Sequence, residues 1–122
     1  MTEKDFENMS PERQRNIEVF RLMQWELDEL VHFRSQLRVL LNDESVVGTS
    51  EKRARIERSI MDLAQSLVIT VRMLLTSPIE AGKMNLNELD QRHLQEGRLT
   101  DHAIARLKIY FDNFLFRTTG TV

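Results

Sequence analysis

The sequence predicts an all-α fold, a helical bundle of two long antiparallel helices followed by two shorter C-terminal helices. Apolar residues recur at steps of three and four over residues 17–41 and again over 56–74, which is the period of an amphipathic helix. Capping and helix-breaking residues bound both stretches. The composition, with 41% hydrophobic and 30% charged residues, is typical of a helical protein with a charged surface.

The first long helix should begin near Pro11 and run to about Leu41. Ser10 supplies a hydroxyl cap, and Pro11 is tolerated in the first turn because its missing N–H would have no partner there. Arg34 is the one charged residue in the apolar row of this helix. The apolar row consists of Ile17, Phe20, Met23, Leu27, Leu30, Leu37 and Leu41.

The second long helix should be capped by Thr49 or Ser50 and should end before Pro78, since a residue that precedes proline disfavours the α conformation. Its apolar row consists of Ile56, Ile60, Leu63, Leu67, Val71 and Leu74. Residues 67–75 are apolar around nearly the whole circumference. A helix of that kind is usually buried on several sides.

The C-terminal third is predicted to hold two shorter helices. Residues 78–87 are expected to form a connector with at most one helical turn, because Gly82 breaks a longer helix. Asn87 and Asp90 can then form a capping box for a short helix, and Thr100 can cap a last one. This gives four helices in total.

A chain of 122 residues is long enough for one domain with its own core. We assign that domain to residues 10–117 and expect residues 1–9 and 118–122 to be mobile, since they lack apolar periodicity. The acidic start without an apolar leader, and the lack of a long apolar run, favour a cytoplasmic protein without a membrane anchor.

The charge balance and the lack of cysteine exclude several kinds of function. With 17 basic and 19 acidic residues, the chain lacks the basic excess that favours nucleic acid as a partner. Cysteine is absent from the sequence, which excludes disulfides, thiol nucleophiles and cysteine-ligated zinc.

Two acid-x-x-His spacings are the strongest catalytic candidates, since a carboxylate and an imidazole three residues apart can share a metal inside a bundle. They are Glu29 with His32 and Asp90 with His93. At 100° per residue His32 points almost opposite the apolar row, so the first pair should face solvent. His93 lies among leucines, where a packed histidine is the more common case. We therefore predict no metal, no cofactor and no enzymatic activity.

A degenerate helix-turn-helix at residues 88–110 is the alternative function, as a small DNA-binding regulator. Gly97 would lie in the turn and the helix after Thr100 would be the recognition helix. The basic residues of this region are Arg92, Arg98, Arg106 and Lys108. The fit is poor because Glu96 stands where the motif needs an apolar residue and Asp101 would face the DNA.

Residues 67–75 are also the predicted interaction surface. Two short helices are not expected to cover this segment, so the sequence favours a homodimer that closes over it. The proposed dimer or partner interface consists of Leu67, Val68, Val71, Arg72, Met73 and Leu75. Of these, Val68 and Met73 are expected to lie off the intrachain core.

A basic cluster opens the second long helix. Cations near a helix N-terminus oppose the helix dipole, so an acidic partner surface, or the acidic first helix of the same or another subunit, could compensate them. A solvated face is the simpler interpretation. The cluster consists of Lys52, Arg53, Arg55 and Arg58.

The segment Ile56-Glu57-Arg58-Ser59-Ile60, followed by Ala64-Gln65, resembles the corresponding helix of TraM-type antiactivators. Those are small helical dimeric proteins that bind LuxR-type transcription factors of quorum sensing and switch them off. The succession of a long helix, a loop and a second long helix ending near a proline is also similar. The resemblance implies a non-enzymatic, dimeric regulator that binds and inhibits a transcription factor.

Overall fold

The computed structural model describes residues 3–42 and 50–119, and every regular element within them is an α-helix. The helices are α1 (Glu3–Glu7), α2 (Pro11–Asn42), α3 (Ser50–Leu74), α4 (Pro78–Met84), α5 (Glu88–Gln95) and α6 (Asp101–Thr119). This confirms the all-helical fold and the two long helices, which pack against each other. The predicted cap Thr49 and residues 120–122 lie outside the described residues.

Helix α1 occupies part of the segment 1–9, for which no helix was predicted. The side-chain amide of Gln14 donates to the carbonyl oxygens of Phe6 at 2.8 Å and of Met9 at 3.1 Å. Phe6 and Met9 also pack against the core. Ser10 caps α2 as predicted, since its hydroxyl accepts from the backbone N–H of Arg13 at 3.2 Å.

Helix α4 corrects the predicted connector. It passes through Gly82, where glycine costs about 1 kcal/mol relative to alanine in a helix. Ser77 offsets part of that cost by accepting from the Glu80 N–H, with Pro78 in the first turn. Asn85 ends the helix in the left-handed conformation at φ 54°. A single glycine therefore does not prevent a short helix when both ends of that helix are capped.

The core lies where α2 meets α3 and α6. Helices α2 and α3 run antiparallel, because the C-terminal half of α2 lies beside the first turns of α3. On the α6 side, the ring of Phe20 stacks on Phe114 at a centroid distance of 3.7 Å and meets Phe111 edge-on at 5.8 Å. Phe111 is fully buried. Aromatic packing therefore joins the last helix to the first long one.

The apolar segment 67–75 is largely covered within the chain. Leu67 and Val71 are completely buried and Val68 is 3% exposed, so the prediction that Val68 lies off the intrachain core is wrong. The reason is that α5 packs on α3, and the turn after it brings the buried Leu99 to the same side as Val68. Met73 is 68% exposed, as expected for a residue off the core.

No helix in the described ranges combines the length and the apolar content that crossing a membrane requires.

Candidate partner-binding groove

An open groove of about 670 Å³ runs between α2, α3 and the turn that joins α5 to α6. Its floor contains the buried side chains of Val68 and Leu99. Met61 and Ile69 stand at its edge and are 69% and 54% exposed. The apolar residues that line it are Ile60, Met61, Ala64, Val68, Ile69 and Leu99. The groove therefore offers apolar surface that residues 3–42 and 50–119 leave uncovered.

The charged lining of this groove is mostly positive. Arg34, Arg72 and Arg98 line it, against the single carboxylate of Asp62. Arg72 is exposed, and Arg98 pairs with Glu96 within the turn. Arg34 lies beside Asp101, so Arg72 is the one arginine of the lining without an ion pair among the described residues.

Arg34 fixes one wall of the groove. Its Nη2 donates to the carbonyl oxygen of Leu99 at 2.9 Å, and its Nη1 lies 3.6 Å from Asp101. Burial lowers the pKa of Arg34, and the carboxylate of Asp101 opposes that shift. Arg34 thus holds the α5–α6 turn against α2.

The α5–α6 turn has a built-in sharp bend. Gly97 adopts φ 78°, a conformation that other residues rarely take, and its N–H donates to the carbonyl of Leu94 at 3.0 Å. The N–H of Arg98 donates back to the carbonyl of His93 at 2.8 Å. This bend presents Arg98 and Leu99 to the groove.

Asp90 ties α5 to the start of α6. It is 2% exposed and forms the predicted capping box, its N–H donating to the Asn87 side chain at 2.7 Å. Its carboxylate accepts from the Thr100 hydroxyl at 2.8 Å and lies 2.5 Å from Nδ1 of His102. His93, the candidate partner in the sequence, instead lies 3.8 Å from Glu96. The acid–histidine pair therefore joins residues that are twelve apart, which no local spacing indicated.

Stability should fall in acid because of Asp90. Burial alone raises the pKa of Asp90, but hydrogen bonds from Thr100, His102 and the Asn87 backbone outweigh it and hold the pKa below its ordinary value. A lowered folded-state pKa contributes stability above the unfolded-state value of about 3.9, and this contribution is lost as the pH falls through the folded-state pKa. Urea unfolding of the parent and Asp90→Asn between neutral pH and about pH 3 should show their difference in unfolding free energy shrinking. A difference that stays constant with pH would contradict this assignment.

The first candidate metal pair does not converge on a shared site. His32 is exposed, and its Nε2 lies 3.1 Å from Nε2 of Gln36. Glu29 is half-buried on the same helix. Over residues 3–42 and 50–119 no three His, Asp or Glu side chains come together in a way that could hold a metal ion.

Replacing either member of this pair should have little effect. We expect His32→Ala and Glu29→Ala each to leave the free energy of unfolding within about 0.5 kcal/mol of the parent, because His32 is exposed and the half-buried Glu29 is replaced by alanine, the residue with the highest helix propensity. Thermal unfolding followed by circular dichroism, together with metal analysis of protein purified without chelator, checks this. Loss of a bound metal or of the fold in either variant would restore the enzymatic hypothesis.

The predicted basic cluster lies outside the groove. Lys52, Arg53, Arg55 and Arg58 are all exposed on the first turns of α3. Arg53 pairs with Glu57 at 2.9 Å, one helical turn further on. The cations that do line the groove, Arg34, Arg72 and Arg98, are far apart in sequence and could not be grouped from local patterns. The one available sign was Arg34, alone among apolar residues.

Residues 88–110 do form two helices joined by a tight turn. The first turn of α6, which would enter the DNA groove, carries Asp101 with a side chain that is 90% exposed. Ala103, Ile104 and Leu107 on the same helix are buried in the core. An exposed carboxylate at that position would repel phosphate, so the geometry adds no support to the DNA-binding alternative.

No protein-family model, curated protein or solved structure matches this chain. The resemblance of residues 56–65 to TraM-type antiactivators therefore stays a prediction. Those residues lie on α3, and part of them line the groove.

Proposed function

We propose that this protein is a non-enzymatic helical interaction module whose partner binds along the outward face of α3 and its adjoining groove. The observation that carries the proposal is the exposure of three large apolar side chains on one helix, Met61 at 69%, Ile69 at 54% and Met73 at 68%. At 100° per residue Ile69 lies about 80° and Met73 about 120° round the helix from Met61, so the three side chains share one outward third of its circumference. Apolar residues grouped at a groove, with charged residues around them, are typical of protein-binding surfaces.

The regulatory role we propose is that of an antiactivator-like protein, which binds a transcription factor and inhibits it. The support is the resemblance of residues 56–65 to TraM-type antiactivators, since Ile60, Ala64 and Gln65 of that segment line the groove. A binding role of this kind needs no catalytic group.

Homodimer formation also stays a prediction. Since Leu67, Val68 and Val71 are buried within one chain, a second copy at this segment would contact mainly the exposed side chains, which are Ile69, Arg72 and Met73. This is a small surface next to the interfaces of stable dimers, which bury about 800 Å² on each partner. Sedimentation equilibrium measures the oligomeric state directly.

Affinity purification from the native host, with mass spectrometry, tests the proposed function. The parent should retain a specific protein, and Ile69→Asp should lose it because a charge replaces an apolar contact on α3. Leu22→Asp on α2 is the matched control, since Leu22 and Ile69 are equally exposed at 54%. Circular dichroism establishes that both variants keep their helices. Retention of the same protein by Ile69→Asp would contradict the proposal.

A further inference from the structure

The length of the groove suits a short helix. Ile60 and Arg72, the first and last residues of α3 that line it, are separated by about 18 Å at 1.5 Å per residue, or just over three helical turns. An amphipathic helix that lies in such a groove inserts apolar side chains at positions i, i+3 or i+4, and i+7. Met61 at the edge is well suited to this, because its flexible thioether chain adapts to different apolar side chains.

The charges that line the groove favour a bound helix with negatively charged side chains. Arg72 on α3 and Arg98 in the α5–α6 turn lie on different elements around the same apolar floor, and Asp62 is the one carboxylate in the lining. Arg34 stands behind them, fixed to Leu99 at 2.9 Å. Guanidinium groups bind carboxylates in bidentate geometry, so a glutamate or aspartate beside the apolar anchors would pair with Arg72, and a second one would share Arg98 with Glu96.

A second copy of this chain also has an apolar and acidic surface, on α2, but that surface faces away from the groove. On α2, Leu22 and Trp25 are 54% and 57% exposed and lie close to Glu18 and Glu29. Trp25 and Arg34 are nine residues apart, which at 100° per residue puts them on opposite sides of α2. A closed dimer could not pair this surface with the groove in both directions, and a one-way contact would continue into an open filament.

We infer that the groove binds an acidic amphipathic helix belonging to a different protein. Its apolar side chains lie on Val68, Leu99 and Ile69, and its carboxylates pair with Arg72 and Arg98. This rests on the proposed function and adds to it the chemistry of the partner segment.

Fluorescence anisotropy with two labelled peptides tests the inference. One peptide is an amphipathic helix of about four turns with leucines at i, i+3, i+4 and i+7 and glutamates beside them, and the other has glutamine at each glutamate. The parent should bind the glutamate peptide at least about tenfold more tightly, with an affinity that falls as salt is added. Arg72→Glu should remove that preference and leave the affinity for the glutamine peptide unchanged.

Arg21→Glu is the control for Arg72→Glu, because it makes the same charge reversal at an exposed position of α2. It should keep the preference for the glutamate peptide. Equal affinity for the two peptides, no binding of either, or the same loss in both arginine variants would overturn the inference. If the parent binds both peptides equally and Ile69→Asp binds neither, the acidic character of the partner is overturned but the groove remains a partner site. The proposed function itself fails under a different result, namely that Ile69→Asp still retains the protein captured by the parent in the affinity purification.

Discussion

Val68→Asp is expected to unfold the protein, whereas Met73→Asp should leave it folded. Val68 is 3% exposed between α3 and the α5–α6 turn, so an aspartate there would be a buried charge without a partner. Such a group costs several kcal/mol, a large part of the stability of about 5–15 kcal/mol that is typical of a domain. Met73 is 68% exposed, and its replacement should change the free energy of unfolding by less than about 0.5 kcal/mol. Urea unfolding followed by circular dichroism compares the two.

Met61→Asp is the control for this pair, since Met61 is 69% exposed on the same helix. It should behave like Met73→Asp in the unfolding measurement. Val68→Asp protein that remains helical and monomeric at parent-like urea concentrations would show that Val68 is not in the core. Sedimentation of the folded variants also tests the sequence-based expectation, because a parent dimer that Met73→Asp dissociates would place a subunit contact at that residue.

Asp90→Ala should have the second largest effect, a loss of about 2–4 kcal/mol. The change removes one side of the α5 capping box, which contributes about 1 kcal/mol, and leaves the donors of Thr100 and Asn87 without their acceptor. It also removes the partner of His102 at 2.5 Å. Equilibrium unfolding in urea at neutral pH measures the loss.

Glu88→Ala provides the comparison for Asp90→Ala, because Glu88 is also an acid in the first turn of α5 but is exposed. It should cost no more than about 0.5 kcal/mol. A double-mutant cycle with His102→Ala then isolates the pair, and we expect a coupling of about 0.5–3 kcal/mol. Additive effects would mean that the contact between Asp90 and His102 contributes nothing to stability.

The parts of the fold that could be predicted are those that depend on neighbouring residues. The start of α2 at Ser10 and the capping box of Asn87 with Asp90 are local hydrogen-bond patterns, and both are present. Helix α4 was missed because Gly82 is a local sign of a break, while the cap at Ser77 and the contact of Glu80 with Tyr110 support the helix.

The groove could not be predicted because its residues come together only through tertiary packing. Arg34 reaches a carbonyl 65 residues away, and the burial of Val68 depends on where α5 and its turn settle. Helical periodicity shows which residues share a face of a helix, but it does not show which other helix or turn covers that face. For the same reason the sequence paired Asp90 with His93, three residues away, when its partner is His102.

The hydrogen bond from Arg34 to Leu99 joins two residues that leave the ribosome at different times. Helices α2 and α3 emerge before the α5–α6 turn, and a domain folds as a unit, so the groove is complete only after the turn has emerged. Their hairpin carries Met61, Ile69 and Arg72, yet the second wall, with Arg98 and Leu99, emerges only afterwards. On the proposed function, a nascent chain that stops before Gly97 would lack this wall and could not yet hold a partner in the groove.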